Sequence, residues 1–249
     1  MNGLLPVAQI GGDIAKARLL IKRQLAAAET GATVVVDTTL GAVSQMLFAI
    51  AGLLMLLALL ARPDLAWGIG LGIVVMLVLL GVFYRLQRGG LFGFLARGLK
   101  KISGGRHSLD FVGGAAALDT AIGQIYAAPG VVLRCLAWRL VGWFVGIGEV
   151  WLALYFLGQP VGLEEALMLE ALGQAIRGAA FAIPGALGVQ EGGLALLAPL
   201  VGLSMETGVA ISLVKRVREL VFGVPGLVVW QIAESRIASG RARSARPAV

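Results

Sequence analysis

The sequence predicts an all-α integral membrane protein, a polytopic helical bundle of about six membrane segments, some of them broken or re-entrant. Three observations carry this prediction. Hydrophobic residues make up 58% of the chain and charged residues only 14%, against about 25% charged in a soluble domain. The mean hydropathy is +0.89. Apolar runs of about 20 residues recur, the length that spans a bilayer as a helix. A soluble chain of 249 residues has too few polar side chains to cover that much apolar surface.

In chain order, residues 1–31 form an interrupted, basic segment, with Lys16, Arg18, Lys22 and Arg23 and no apolar signal-peptide core. Residues 32–84 read as a helical hairpin. One span runs from Ala32 to Leu60, a tight turn falls at Arg62, Pro63 and Asp64, and a second span runs from Leu65 to Tyr84. Residues 85–128 hold Arg85, Arg88, Arg97, Lys100, Lys101 and Arg106 without a spanning run. This region is expected to lie on the cytoplasmic interface as amphipathic helices, with Phe92, Phe94, Leu95 and Leu99 set against the cations. Residues 129–235 form a more polar bundle. Its spans are Val131 to Leu157, a segment after Gln159-Pro160 that reaches Ala182, a short run from Gly192 to Leu203, and a long one from Thr207 to Ile232. A break is expected at 184–191. Residues 236–249 are a basic tail.

The formal charge is +7. With this hydropathy, the excess reads as loops facing anionic lipid rather than as a nucleic-acid surface, and no nucleic-acid partner is expected. By the positive-inside rule, the N-terminus, the long loop and the tail are cytoplasmic. That parity requires the short run after Pro184 either to cross with its neighbour or to re-enter, and the sequence leaves the two open. The single cysteine, Cys135, sits in an apolar run as a small packing residue, and one histidine, His107, is too few for a zinc motif. No metal and no cofactor are expected. Gly68 and Gly72, and Gly142 and Gly146, match the small-residue packing pattern, which shows close packing at most in so glycine-rich a chain.

Charge inside a membrane helix is costly, so such residues mark candidate functional positions. Asp37, Gly41, Ser44 and Gln45 share one face of the first span, which suits either a hydrated cavity or a hydrogen-bonded helix interface. In the third span Arg139 and Glu149 each lie about five residues, or roughly 7 Å, from its middle, and a partner inside the bundle is expected. Glu170, Gln174 and Arg177 share a face of the next segment. The last span carries Lys215, Arg216, Arg218 and Glu219 amid apolar residues. Lys215 and Glu219 are spaced to neutralise each other, leaving Arg216 and Arg218 to seek Glu149, Glu170 or Glu191. This cluster reads either as a network that only holds helices together or as a cationic surface for a lipid headgroup.

Two segments place a carboxylate seven residues after a proline with glycines between: Pro6, Gly11, Gly12, Asp13 and Pro184, Gly185, Gly188, Glu191. Such interruptions free backbone groups, which are tolerated at membrane depth only inside protein or beside water. Their duplication suggests an internal repeat of the kind that builds transport sites at helix breaks.

The run from Asn2 through Pro6 to Asp13 with Arg18 following, the run from Ala182 through Pro184 and Gln190 to Gly192, and the patch Lys215-Arg216-Val217-Arg218-Glu219 resemble signatures of one family. It is the flippase-like family that includes the transmembrane region of lysylphosphatidylglycerol synthase. Within it, the chain looks most similar to hopanoid-biosynthesis-associated membrane proteins. The resemblance implies a multi-pass protein of the bacterial inner membrane that moves a lipid between leaflets or serves lipid export, and not an enzyme. Asp13, Arg18, Glu191, Lys215, Arg216 and Arg218 would line its polar cavity. In that family the first signature follows about two membrane spans, whereas here Met1 stands almost on it, so an N-terminal truncation is expected. The implied partners are a membrane lipid as substrate, the lipid bilayer and lipid-biosynthesis enzymes. Two other classes stay open, a membrane-embedded lipid-modifying enzyme and a non-catalytic scaffold for lipid-synthesis enzymes.

Overall fold

The computed structural model describes residues 27–60, 63–94, 108–180 and 183–244. Among these residues there is no strand. The helices are α1 (Ala27–Leu60), α2 (Pro63–Arg88), α3 (Ser108–Tyr126), α4 (Pro129–Phe156), α5 (Leu163–Ala179), α6 (Val189–Leu197) and α7 (Met205–Ser244). Short 3-10 turns at Pro184–Ala186 and Ala198–Val201 flank α6.

Three stretches are long and apolar enough to cross a membrane: Ala28–Leu59, Gly70–Arg88 and Pro129–Phe156. They overlap the first three predicted spans, starting four residues before the first, ending four after the second and starting two before the third. The 34 residues of α1 measure roughly 51 Å at the usual helical rise, well beyond an apolar core of about 30 Å. Threonines inside α1 satisfy their hydroxyls locally, Thr38 donating to the Val34 carbonyl at 2.9 Å and Thr39 to that of Val35 at 2.7 Å. Along α2 most apolar side chains from Leu71 to Leu86 stand exposed, and a Cβ added at Gly68 or Gly72 meets nothing within 4 Å. A surface so apolar would aggregate in water; here it is the contact with the lipid bilayer.

The bundle has two cores. In the smaller one, Ala32, Val36 and Leu40 of α1, one turn apart, meet Ala121, Ile122 and Tyr126 of α3. Phe92 packs against the edge of this cluster, and Asp119 accepts hydrogen bonds from the Phe92 and Gly93 amides, at 3.2 Å and 2.6 Å. Gln87 joins α2 to both neighbours, donating to Thr39 Oγ1 at 2.9 Å and accepting from the Tyr126 hydroxyl at 2.9 Å.

The larger core is built around α5. Met168, Leu169, Ala171 and Leu172 are buried against Phe48 of α1, Ile147, Val150 and Leu154 of α4, and Leu194 of α6. Glycine permits these approaches. A Cβ on Gly52 would stand 2.6 Å from that of Ala171, and one on Gly146 would stand 2.9 Å from Glu170 Oε1. Gly142, by contrast, faces open space, so only one member of that glycine pair packs. Glu164 and Glu165 lie in the first turn of α5 and Arg177 in its last, the arrangement the helix dipole favours.

Beyond α5 the chain reverses. Gly185 and Gly188 have φ of 62° and 79°, which glycine adopts freely, and Ala186 between them has φ 49° with its side chain fully buried. The Gly188 amide donates to Glu191 Oε2 at 2.7 Å and starts α6. Close approaches fix the register: Leu194 abuts Gly173 and Ile176 abuts Gly193, so α6 runs antiparallel to α5. Gly208 abuts Leu194 and Ala195, while Arg216 reaches Glu191, so α7 runs antiparallel to α6 and parallel to α5. Segment α6 therefore returns the chain to the side from which α5 starts, which decides the parity the sequence left open. Gly202, with φ 77°, ends this return, and Ser204 Oγ accepts the Thr207 amide at 3.2 Å as α7 begins.

Candidate functional site in the α5–α6–α7 region

The four clustered charges of α7, Lys215, Arg216, Arg218 and Glu219, point in different directions because each helical step turns about 100°. Lys215 and Glu219 fall about 40° apart, Arg216 lies about 100° to one side of Lys215, and Arg218 about 60° to the other. Three neighbouring helices supply the matching groups. Lys215 pairs with Glu170 and Glu219 pairs with Arg177, both on α5. Arg216 pairs with Glu191 on α6 at 2.7 Å. Arg218 pairs with Glu149 on α4.

Lys215 and Glu219 thus do not neutralise each other, as their spacing alone suggested; α5 offers each an opposite charge on the same side of α7. The expectations for Arg216 and Arg218 agree with the contacts found, and Glu149 has its partner inside the bundle. Glu219 also lies 3.6 Å from Arg216, and Gln174 donates to Glu170 Oε1 at 3.0 Å. Four cations meet four carboxylates, and the network is neutral.

The network grades from closed to open. The side chains of Lys215 and Glu170 are 3% and 2% exposed, whereas Arg218 is 40% exposed. Removing one partner of a buried pair leaves an uncompensated charge and costs about 3–5 kcal/mol. Arg216 also donates to the Gly185 carbonyl at 2.8 Å, a backbone group freed by the break. It stands 11 residues beyond Met205, roughly 17 Å along the axis.

A second site ties α1 to α4 and α5. Arg139 donates to the Asp37 carboxylate and, at 2.9 Å, to the Asp37 carbonyl. Trp143 Nε1 donates to Ser44 Oγ at 3.3 Å, and Gln45 Nε2 donates to the Gln174 carbonyl at 3.0 Å. The polar stripe of α1 is thus a hydrogen-bonded helix interface. Asp13, Arg18, Pro6, Gly11 and Gly12 lie outside the described residues, as does His107. Sequence reasoning missed the Thr39–Gln87–Tyr126 link and the role of Asp119. Gln87 sits between Arg85 and Arg88, where a polar residue is unremarkable, so nothing in the sequence marked it. Among the described residues no group of three or more His, Cys, Asp or Glu is placed to hold a metal.

Long apolar helices, a helix break and a neutral network of charges shared between helices define a polytopic α-helical membrane protein. Residues 1–226 match the family described as the lysylphosphatidylglycerol synthase TM region. The chain belongs to that family, and so to membrane proteins of lipid processing or transport. No curated protein and no solved structure matches it.

Proposed function

We propose that this protein moves a polar lipid headgroup between the leaflets of the bacterial inner membrane, as a flippase-like translocase or a component of lipid export, with hopanoids among the lipids it serves. It makes and breaks no covalent bond. The observation that carries this reading is Arg216, which holds both a carbonyl of the broken segment and Glu191, in a helix that the sequence reads as a membrane span. A charge there is costly unless it is used. The Arg218–Glu149 pair, the most accessible of the α7 network, is the entrance, and the exposed apolar face of α7 beside it, including Val217 and Val221, leaves the lipid tail in the bilayer.

The test is a reconstituted liposome assay that follows bleaching of a fluorophore-labelled lipid in the inner leaflet. Wild type is expected to expose label faster than empty vesicles, and Arg216→Ala and Glu191→Ala are expected to lose that gain. If both variants match wild type, the residue roles are wrong.

One observation favours a second reading. Each cation of the network already has a carboxylate, as a purely structural lattice requires. Such a scaffold for lipid-biosynthesis enzymes predicts that deleting the basic loop between Arg85 and Arg106 abolishes function while network variants alter stability alone.

A further inference from the structure

Gln190 is the second residue of α6 and is 2% exposed, yet neither its Nε2 nor its Oε1 has a hydrogen-bond partner. An amide buried without partners is strongly unfavourable, and fully enclosed polar groups in folded proteins are nearly always satisfied. The surroundings follow from the register. Gln190 shares a helix face with Gly193 and Leu194, which meet Ile176 and Gly173 of α5. One turn further along this antiparallel pair lies Arg177, bound to Glu219. The next residue, Glu191, binds Arg216, which stands 3.6 Å from Glu219. By this register Gln190 faces α5 near the level of Arg177 and is next in sequence to Glu191, whose partner Arg216 also stands 3.6 Å from Glu219 Oε2, an atom buried without a hydrogen bond. The Glu191 side chain is 25% exposed, so this group of residues opens to the outside on that side.

The chemistry of these atoms restricts what they accept. Two guanidinium groups and two carboxylates balance, so an anionic headgroup would have to displace a carboxylate and leave it buried without a partner. The atoms without a hydrogen bond are one donor group, the amide NH2, and two acceptors, the amide oxygen and Glu219 Oε2, the last in an ion pair with Arg216 at 3.6 Å. A hydroxyl group donates and accepts at once, so neighbouring hydroxyls satisfy all three without changing the charge. We infer that Gln190 reads the headgroup, and that the headgroup is an uncharged polyol such as a sugar or polyalcohol. This inference rests on the translocase reading and narrows its substrate.

The experiment measures binding of short-chain glucosyl diacylglycerol and short-chain phosphatidic acid to the full chain in detergent, for wild type and Gln190→Leu. Wild type is expected to prefer the glucosyl lipid. Gln190→Leu is expected to lose about tenfold in affinity for it, to keep its affinity for phosphatidic acid, and to melt no lower than wild type. Equal losses for both lipids, or a wild type that prefers phosphatidic acid, overturns the inference. So does a lower Tm with unchanged glucosyl-lipid affinity, which identifies the missing partner as a buried water. Should the leucine variant not be monodisperse, Gln190→Met, of similar length with an apolar end, carries the same test. A wild type that binds selectively through Gln190 but moves neither lipid in liposomes ends the translocase reading and leaves the binding site standing.

Discussion

Arg216 and Glu191 join the first third of the last helix to the first turn of the short helix that follows the break, at 2.7 Å. The same guanidinium holds the Gly185 carbonyl. A single side chain thus fixes both sides of the break. Arginine suits this because its planar fork presents several donors at once, whereas a lysine ammonium is a point charge on a flexible stem. Arg216→Lys is therefore expected to keep the charge, lose one of the two bonds and destabilise the protein by about 1–3 kcal/mol. Arg216→Ala is expected to cost more, about 3–5 kcal/mol. Denaturation in detergent, followed by tryptophan fluorescence, separates the two; equal losses would mean that the fork geometry is irrelevant.

The Lys215–Glu170 pair is the most enclosed of the network. Lys215→Met alone strands a carboxylate and is expected to cost about 3–5 kcal/mol, whereas Lys215→Met with Glu170→Leu is expected to recover most of that loss. The double-mutant cycle checks this by the coupling between the two sites. Additive losses would place these side chains out of contact.

Gly52 lies where α1 and α5 approach most closely. Any side chain there meets the Ala171 Cβ, so Gly52→Leu is expected to lower stability by about 1–3 kcal/mol or more. Gly72→Leu, on the exposed face of α2, is expected to change the Tm little. A comparable fall for both variants would show that α2 is packed against protein in the membrane.

The antiparallel return of α6 puts the α4–α5 turn and the α6–α7 turn on one side and the end of α2 on the other. In a Cys135→Ser background, Gln159→Cys and Ser204→Cys are expected to react from the same side with a membrane-impermeant maleimide, and Arg88→Cys only from the opposite side. Labelling of Ser204→Cys from the side of Arg88→Cys would require α6 to end where it begins.

Composition alone determined the solvent. A chain 58% hydrophobic and 14% charged has no soluble arrangement, and the three long apolar helices overlap the runs that hydropathy marks out. Helical periodicity also placed Asp37, Ser44 and Gln45 on one face, and it identified the charges of α7 as the unusual feature of the chain. What it could not assign was partners. Lys215 and Glu219 are neighbours on α7, and local spacing pairs them; only the packing of α5 parallel to α7 brings Glu170 and Arg177 close enough to take each one instead. The break after Pro184 was legible, because proline and glycine act locally on the backbone. Whether α6 crossed or turned back was not, since that depends on close approaches such as Gly173 to Leu194 and Gly208 to Ala195, between residues distant in the chain. Local sequence sets which groups are buried and where a helix ends, but charge pairing at membrane depth is decided by which helix lies alongside, and that is a property of the packed bundle.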